Sequence, residues 1–200
     1  YHKHEYDAFG FPFSYKVSRF EEAIQILHGL LRNGEVDFEG KYHFARECEL
    51  KPRGPRPQGP PILMGTVQPR MMACMAKYAD LWNAYYDDTH NKVDGIRRLR
   101  PIVDQACTHE GRDPATLERT VTALVADANA DPWWDKLPTE NWVEEGPLVP
   151  LAGAPEEIAK VLLEYQREGI AHLQICLEPT TSESIEAFAR VLEAVDEASG

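Results

Sequence analysis

The chain has 200 residues, 43% of them apolar and 27% charged, a composition that argues against disorder overall and points to one globular domain over residues 1–200. Its 21 Lys and Arg against 33 Asp and Glu give a net charge of -12, a field that repels phosphate backbones and anionic membrane surfaces and so argues against nucleic acid and membrane as partners. A local anion site remains open, because backbone N–H groups at a helix N-terminus bind phosphate whatever the net charge.

No run approaches the ~18 apolar residues of a membrane span, and Tyr1-His2-Lys3-His4-Glu5 is no signal peptide, so a cytoplasmic address is expected. The absence of an initiating Met suggests that the chain begins mid-protein. Cys48, Cys74, Cys107 and Cys176 form no C-x-x-C pair and read as reduced thiols.

Along the chain, Phe20, Ile24, Leu27 and Leu31 recur at helical spacing and predict a helix over 19–31, stopped by Asn33-Gly34. Val36 and Phe38, a turn at Glu39-Gly40, then Tyr42 and Phe44 predict a β-hairpin. Residues 51–61 hold five prolines and two glycines and must form a loop. Four strand-then-helix units follow: strand 62–64 with helix 69–78, strand 80–85 with the helix of Val93, Ile96, Leu99, Val103 and Ala106, strand 120–126 with helix 156–168, and strand 172–177 with helix 184–195. Such a series predicts a parallel sheet with helical crossovers. Residues 131–150 break the rhythm; Trp133, Trp134 and Trp142 are costly to leave in water, which favours a packed excursion bordering a pocket or a subunit contact.

In parallel α/β folds the ligand sits at the carboxyl ends of the strands. Gly65 allows close approach to the backbone, and Thr66-Val67-Gln68-Pro69 leads into a helix with Pro in its first turn, so free N–H groups there face an incoming anion, most simply phosphate. Any βα turn can hold a glycine, however, and the signal alone is weak. Trp82 and Asn83 near the second strand end offer an aromatic wall and an amide to a planar ligand, with core packing of Trp82 the equal alternative. His2, His4 and Glu5 lack zinc-site spacing, as do the other histidines, so no metal site is expected and a solvated terminus is the reading. Asp87-Asp88 with His90 form a polar cluster, but nucleophile-elbow, Walker and G-x-G-x-x-G signatures are absent. Glu144-Glu145 do not suggest paired-carboxylate catalysis, and Glu156-Glu157 suit a helix N-terminus.

The ordered motifs resemble the luciferase-like monooxygenases and deazaflavin-dependent oxidoreductases. The resemblance is carried by His4-Glu5-Tyr6-Asp7-Ala8-Phe9-Gly10-Phe11-Pro12-Phe13, Arg19-Phe20-Glu21-Glu22-Ala23, Val36-Asp37-Phe38-Glu39-Gly40-Lys41-Tyr42, Pro60-Pro61-Ile62-Leu63-Met64-Gly65, Tyr78-Ala79-Asp80-Leu81-Trp82-Asn83, Gly111-Arg112-Asp113-Pro114 and Gly153-Ala154-Pro155-Glu156-Glu157-Ile158-Ala159. It implies an α/β fold, the C-terminal half of a (β/α)8 TIM barrel (strands five to eight) with a small β-hairpin insertion. It implies further an oxidoreductase using reduced FMN or coenzyme F420, with a lean to the latter, for hydride transfer to or monooxygenation of a small organic substrate. Tyr6 matches a phosphate-contacting tyrosine, and Gly65, Thr66, Val67 and Gln68 match the phosphate loop, although Thr66 and Val67 stand where many members carry glycine and serine. The arginine that some members carry on the seventh strand is not evident in 120–126. Catalytic residues are unknown and expected on the first three strands, so the 200 residues alone should be inactive. The rival is a cofactor-free interaction module of the same fold; in either case a homodimer is expected, because open sheet edges invite another chain.

Overall fold

The computed structural model describes residues 3–127, 130–136 and 148–199. They form two compact units, residues 1–62 and 63–200.

In the first unit, α1 (Lys3–Phe9) precedes α2 (Lys16–Asn33), and β1 (Glu35–Glu39) pairs antiparallel with β2 (Phe44–Glu49). The terminal segment expected to be a solvated stretch is thus a helix, though one with no buried residue. Gly34 ends α2 at φ +87°, a left-handed conformation that glycine takes without penalty, and Arg53 extends over it to the carbonyls of Leu30, Arg32 and Pro57. The hairpin differs from expectation in its second strand, which starts at Phe44, so Tyr42 belongs to the turn. The cause is Glu22 on α2, whose carboxylate accepts the N–H groups of Lys41, Tyr42 and His43 at 2.7–2.9 Å and takes them out of the ladder.

The second unit is a four-stranded parallel sheet in the order β3-β4-β5-β6: β3 (Leu63–Gly65), β4 (Leu81–Ala84), β5 (Glu118–Ala126) and β6 (His172–Glu178). The helices are α3 (Pro69–Tyr78), α4 (Tyr86–Thr89), α5 (Val93–His109), α6 (Pro155–Arg167) and α7 (Ser182–Ser199). All four expected strand–helix units are present, and α4 was unforeseen. Alternation along the strands divides the sheet into two faces. Val125, Leu173, Ile175 and Leu177 pack with Ile158, Ala159, Leu162 and Val191 of α6 and α7. The opposite face carries Asn83, Thr120, Thr122 and Gln174, then Leu124, Cys176 and Glu178 toward the carboxyl ends.

The Gly111-Arg112-Asp113-Pro114 motif has a structural role. Arg112 donates to the carbonyls of Ala76 and Ala79 at the end of α3 and to Thr116, tying the turn after α5 to the turn before β4. Arg119, one residue before the strand start expected from sequence, lies at the amino end of β5 in an ion pair with Asp104 of α5, away from any ligand at the carboxyl ends.

Candidate functional site at the carboxyl ends of the strands

Past β3 the chain runs through Thr66, Val67 and Gln68 into α3. Gly65 and Gln68 are exposed, Thr66 and Val67 half-buried. The Gln68 N–H donates to Thr66 Oγ1 at 3.2 Å, and the Trp82 indole N–H donates to the Thr66 carbonyl at 2.8 Å. Trp82 is 0% exposed, so of the two readings the core one holds: the ring lies in the interior and fixes the loop through its N–H. Direct contact of Trp82 with a substrate is thereby corrected to positioning of residues 65–68. Gly65 has no left-handed φ; its lack of a side chain serves close approach, since a Cβ there would lie 3.3 Å from the Asn83 carbonyl oxygen.

The helix N-termini of this unit differ in what already occupies them. Glu157 accepts the Ala154 N–H at α6, Asp88 accepts the Tyr85 N–H at α4, and Thr181 and Ser184 exchange side-chain-to-backbone bonds at α7. α5 has an acidic first turn in Asp94. Among the described α-helices of this unit, α3 alone has no acid in its first turn; its N-cap N–H is taken by Thr66 Oγ1, and it has Arg70 at its second position. Uncapped N–H groups and the positive end of the helix dipole favour an anion there.

Asn83 is 8% exposed. Its amide donates to Thr122 Oγ1 at 3.0 Å and its carbonyl accepts from Thr120 Oγ1 at 2.8 Å; Thr122 Oγ1 in turn donates to Gln174 Oε1 at 2.9 Å. This ladder crosses β4, β5 and β6 on one face and satisfies polar groups that would be costly to bury alone. Tyr6, in α1, belongs to the first unit, half-buried with its ring edge-on to Phe13 at 5.2 Å.

Beyond the ladder, Tyr86 packs with Leu124 and Leu148, against which Trp133, Trp134 and Cys176 lie partly buried. Tyr85 and Tyr86 have ring centroids 4.0 Å apart and share a hydroxyl bond of 2.9 Å; Trp133 follows at 6.4 Å from Tyr86 and Trp134 at 5.8 Å from Trp133. The Trp133 indole donates to Glu178 Oε2 at 2.9 Å. The packed excursion expected of the tryptophans is present for Trp133 and Trp134; Trp142, like Glu144, Glu145 and His2, lies outside the described residues. Burial, and then the Tyr85 hydroxyl, push the Tyr86 phenol far above its ordinary value, while burial and the Glu178 charge raise the Cys176 thiol. Burial and neighbouring Asp88 raise the Asp87 carboxyl, and burial raises that of Asp88 despite the Tyr85 N–H and Arg98. Sequence reasoning missed Glu178, although its signal was present: in His172-Leu173-Gln174-Ile175-Cys176-Leu177-Glu178 the polar residues fall on one side of the strand.

The fold and this geometry define an α/β protein with a parallel sheet and a candidate site at the carboxyl ends of its strands. The chain belongs to the luciferase-like monooxygenase family, whose model matches residues 1–146. No curated protein matches it by sequence. Its fold is similar to that of an F420-dependent secondary alcohol dehydrogenase solved with an F420-acetone adduct (19% identity, TM-score 0.66, 95% of this chain and 66% of that one). It is likewise similar to the coenzyme F420-dependent tetrahydromethanopterin reductase from Methanopyrus kandleri (18%, 0.68, 99% and 72%) and to the EDTA monooxygenase from Chelativorans sp. BNC1 (13%, 0.68, 96% and 62%). The chain therefore spans roughly two thirds of the length of these proteins. No described helix is long and apolar enough to cross a membrane.

Proposed function

We propose that β3 to β6 are strands five to eight of a (β/α)8 barrel in an oxidoreductase acting on a small organic substrate, and that residues 65–68 with the start of α3 hold the phosphate of FMN or coenzyme F420. The observation that carries this reading is the N-terminus of α3, free of acids where the first turns of the neighbouring helices carry them. A phosphate fits there: the Val67 N–H and the N–H groups of the first turn of α3 after Pro69 supply donors, Arg70 supplies positive charge, Gly65 keeps the floor low, and Trp82 holds the loop from beneath. Such a cofactor supplies the redox chemistry, and the protein supplies binding, orientation and exclusion of water. The part of this chain is the anchoring of the phosphate end; Tyr6, in the first unit, is a separate candidate for phosphate contact, and the Asn83 amide, held in the ladder, is a candidate for substrate contact.

Titration of the chain with FMN and with coenzyme F420, followed by quenching of cofactor fluorescence, tests the reading. Saturable binding competed by inorganic phosphate is expected, without turnover by these residues alone. Absence of binding by both cofactors sinks it. The sheet edges at β3 and β6, each with one neighbour, favour a second reading, a cofactor-free module that dimerises through them. Size-exclusion chromatography with cofactor absorbance separates the two: a dimer that excludes both cofactors supports the module. A homodimer that carries the cofactor agrees with the first.

A further inference from the structure

We propose that the aromatic strip Tyr85, Trp133 and Trp134 together with Glu178 selects an organic cation, an alkylammonium or quaternary ammonium group, as the recognised part of the substrate. The inference rests on the oxidoreductase reading above and names its substrate class. Ring faces attract a cation lying within about 6 Å of the centroid, and the attraction grows when water is excluded. Here the rings form a continuous series with centroid spacings of 4.0, 6.4 and 5.8 Å through Tyr86, and Tyr86 itself is buried, so Tyr85 and the two tryptophans present the accessible edge.

Charge points the same way. Glu178 is half-buried and held on the Trp133 N–H by one carboxylate oxygen, and after burial it is what raises the Cys176 thiol on the same strand face. The four strands contain no lysine, and their single arginine, Arg119, lies at the far end of β5 bound to Asp104. Asp87 and Asp88 follow Tyr86 directly. A carboxylate or phosphate on the substrate would meet Glu178 here with no basic strand residue to offset it, Arg98 of α5 being engaged by the Asp88 carbonyl, whereas an ammonium group gains both the ring faces and Glu178. The anion-accepting end at α3 and the cation-accepting end at β6 stand on opposite edges of one sheet, matching a ligand pair of anionic cofactor and cationic substrate.

Calorimetric titration of the chain with benzyltrimethylammonium and with phenylacetate, in the wild type and in Glu178→Gln, tests this. Glutamine keeps an acceptor for the Trp133 N–H and removes the charge, so the fold should persist, as circular dichroism will show. Expected are saturable binding of the cation, no measurable binding of phenylacetate, and a tenfold or greater weakening of cation binding in E178Q, with FMN or F420 affinity unchanged. Equal binding of the two probes, no binding of the cation, or an E178Q affinity equal to wild type would overturn the inference. Cofactor titration is read separately: loss of cofactor binding with cation selectivity intact refutes the phosphate-loop reading alone, and the reverse refutes the cation site alone.

Discussion

The two units of this chain are built on different physics. Residues 1–62 hold nine basic and nine acidic side chains, whereas residues 63–200 hold twelve and twenty-four, so the whole net charge of -12 resides in the second. In the first unit the buried apolar side chains are Ile24 and Ala45, and order comes from side chains clasping backbone: Glu22 on three N–H groups, Arg53 on three carbonyls. In the second, a core running from Met64 to Val191 does the holding, and its polar groups pair in the interior. Exposed clasps compete with water and salt, while buried pairs do not, so equal-looking hydrogen bonds contribute unequally in the two units.

The largest expected effect tests the buried side of that contrast. Asn91, 2% exposed at φ +56°, accepts the Leu124 N–H at 2.9 Å and donates to the carbonyls of Leu124 at 2.8 Å and Val149 at 3.1 Å, acting as one more rung beside β5. Asn91→Ala orphans the buried Leu124 N–H, whereas the Leu124 carbonyl keeps the Leu151 N–H and exposed Val149 turns to water, for a loss of about 2 kcal/mol. Urea unfolding should show it as a lowered midpoint; a change below about 1 kcal/mol would mean that water replaces the amide.

Trp82→Phe comes next. A smaller aromatic ring stays and the N–H bond to the Thr66 carbonyl goes, a loss of about 1 kcal/mol at the loop, with the cost of the cavity left by the smaller ring falling on the core. If the loop is the phosphate anchor, FMN or F420 affinity should fall about fivefold, the equivalent of that energy. An unchanged affinity with lowered stability would leave Trp82 as core only.

Gly65→Ala separates room for the ligand from room for the fold. With no left-handed φ to accommodate, the added methyl only presses on the Asn83 carbonyl at 3.3 Å, a cost of about 1 kcal/mol. Cofactor binding should weaken more than stability does, and a variant that binds as the wild type would show that nothing approaches the backbone there.

The same contrast decides how much of the molecule was legible in its sequence. The sheet unit was readable because apolar periodicity reports burial: helix Pro69–Tyr78 and the four strands fall within one or two residues of their expected bounds. The hairpin was misread at Tyr42 because a distant carboxylate, Glu22, claims its N–H, and no local pattern announces a bond over twenty residues. At the site, residues 65–68 could be found from glycine and proline, which act locally. Trp82 could not be placed, since a buried ring that positions and an exposed ring that binds have the same alternation, and Asn91 was invisible because an asparagine in a turn rarely serves a strand.

Glu22 gives the smallest effect and tests the exposed side. Burial pushes its carboxyl up, but the N–H groups of Tyr42, His43 and Lys41 outweigh this, so its pKa lies below the ordinary carboxylate value in the folded chain. A group whose folded pKa is depressed contributes stability that is complete above its unfolded pKa and is lost as pH falls through the folded one. The clasp should therefore hold at neutral pH and release only in the acid range, first as faster hydrogen exchange at residues 41–43, while the buried Asn91 rung keeps its protection. Glu22→Gln should reproduce that local loosening at neutral pH with little change in the unfolding of the sheet unit, and its hairpin exchange should no longer vary with acidification beyond the intrinsic rate. Exchange at residues 41–43 that stays slow in E22Q would show that the turn, and not the carboxylate, orders the hairpin.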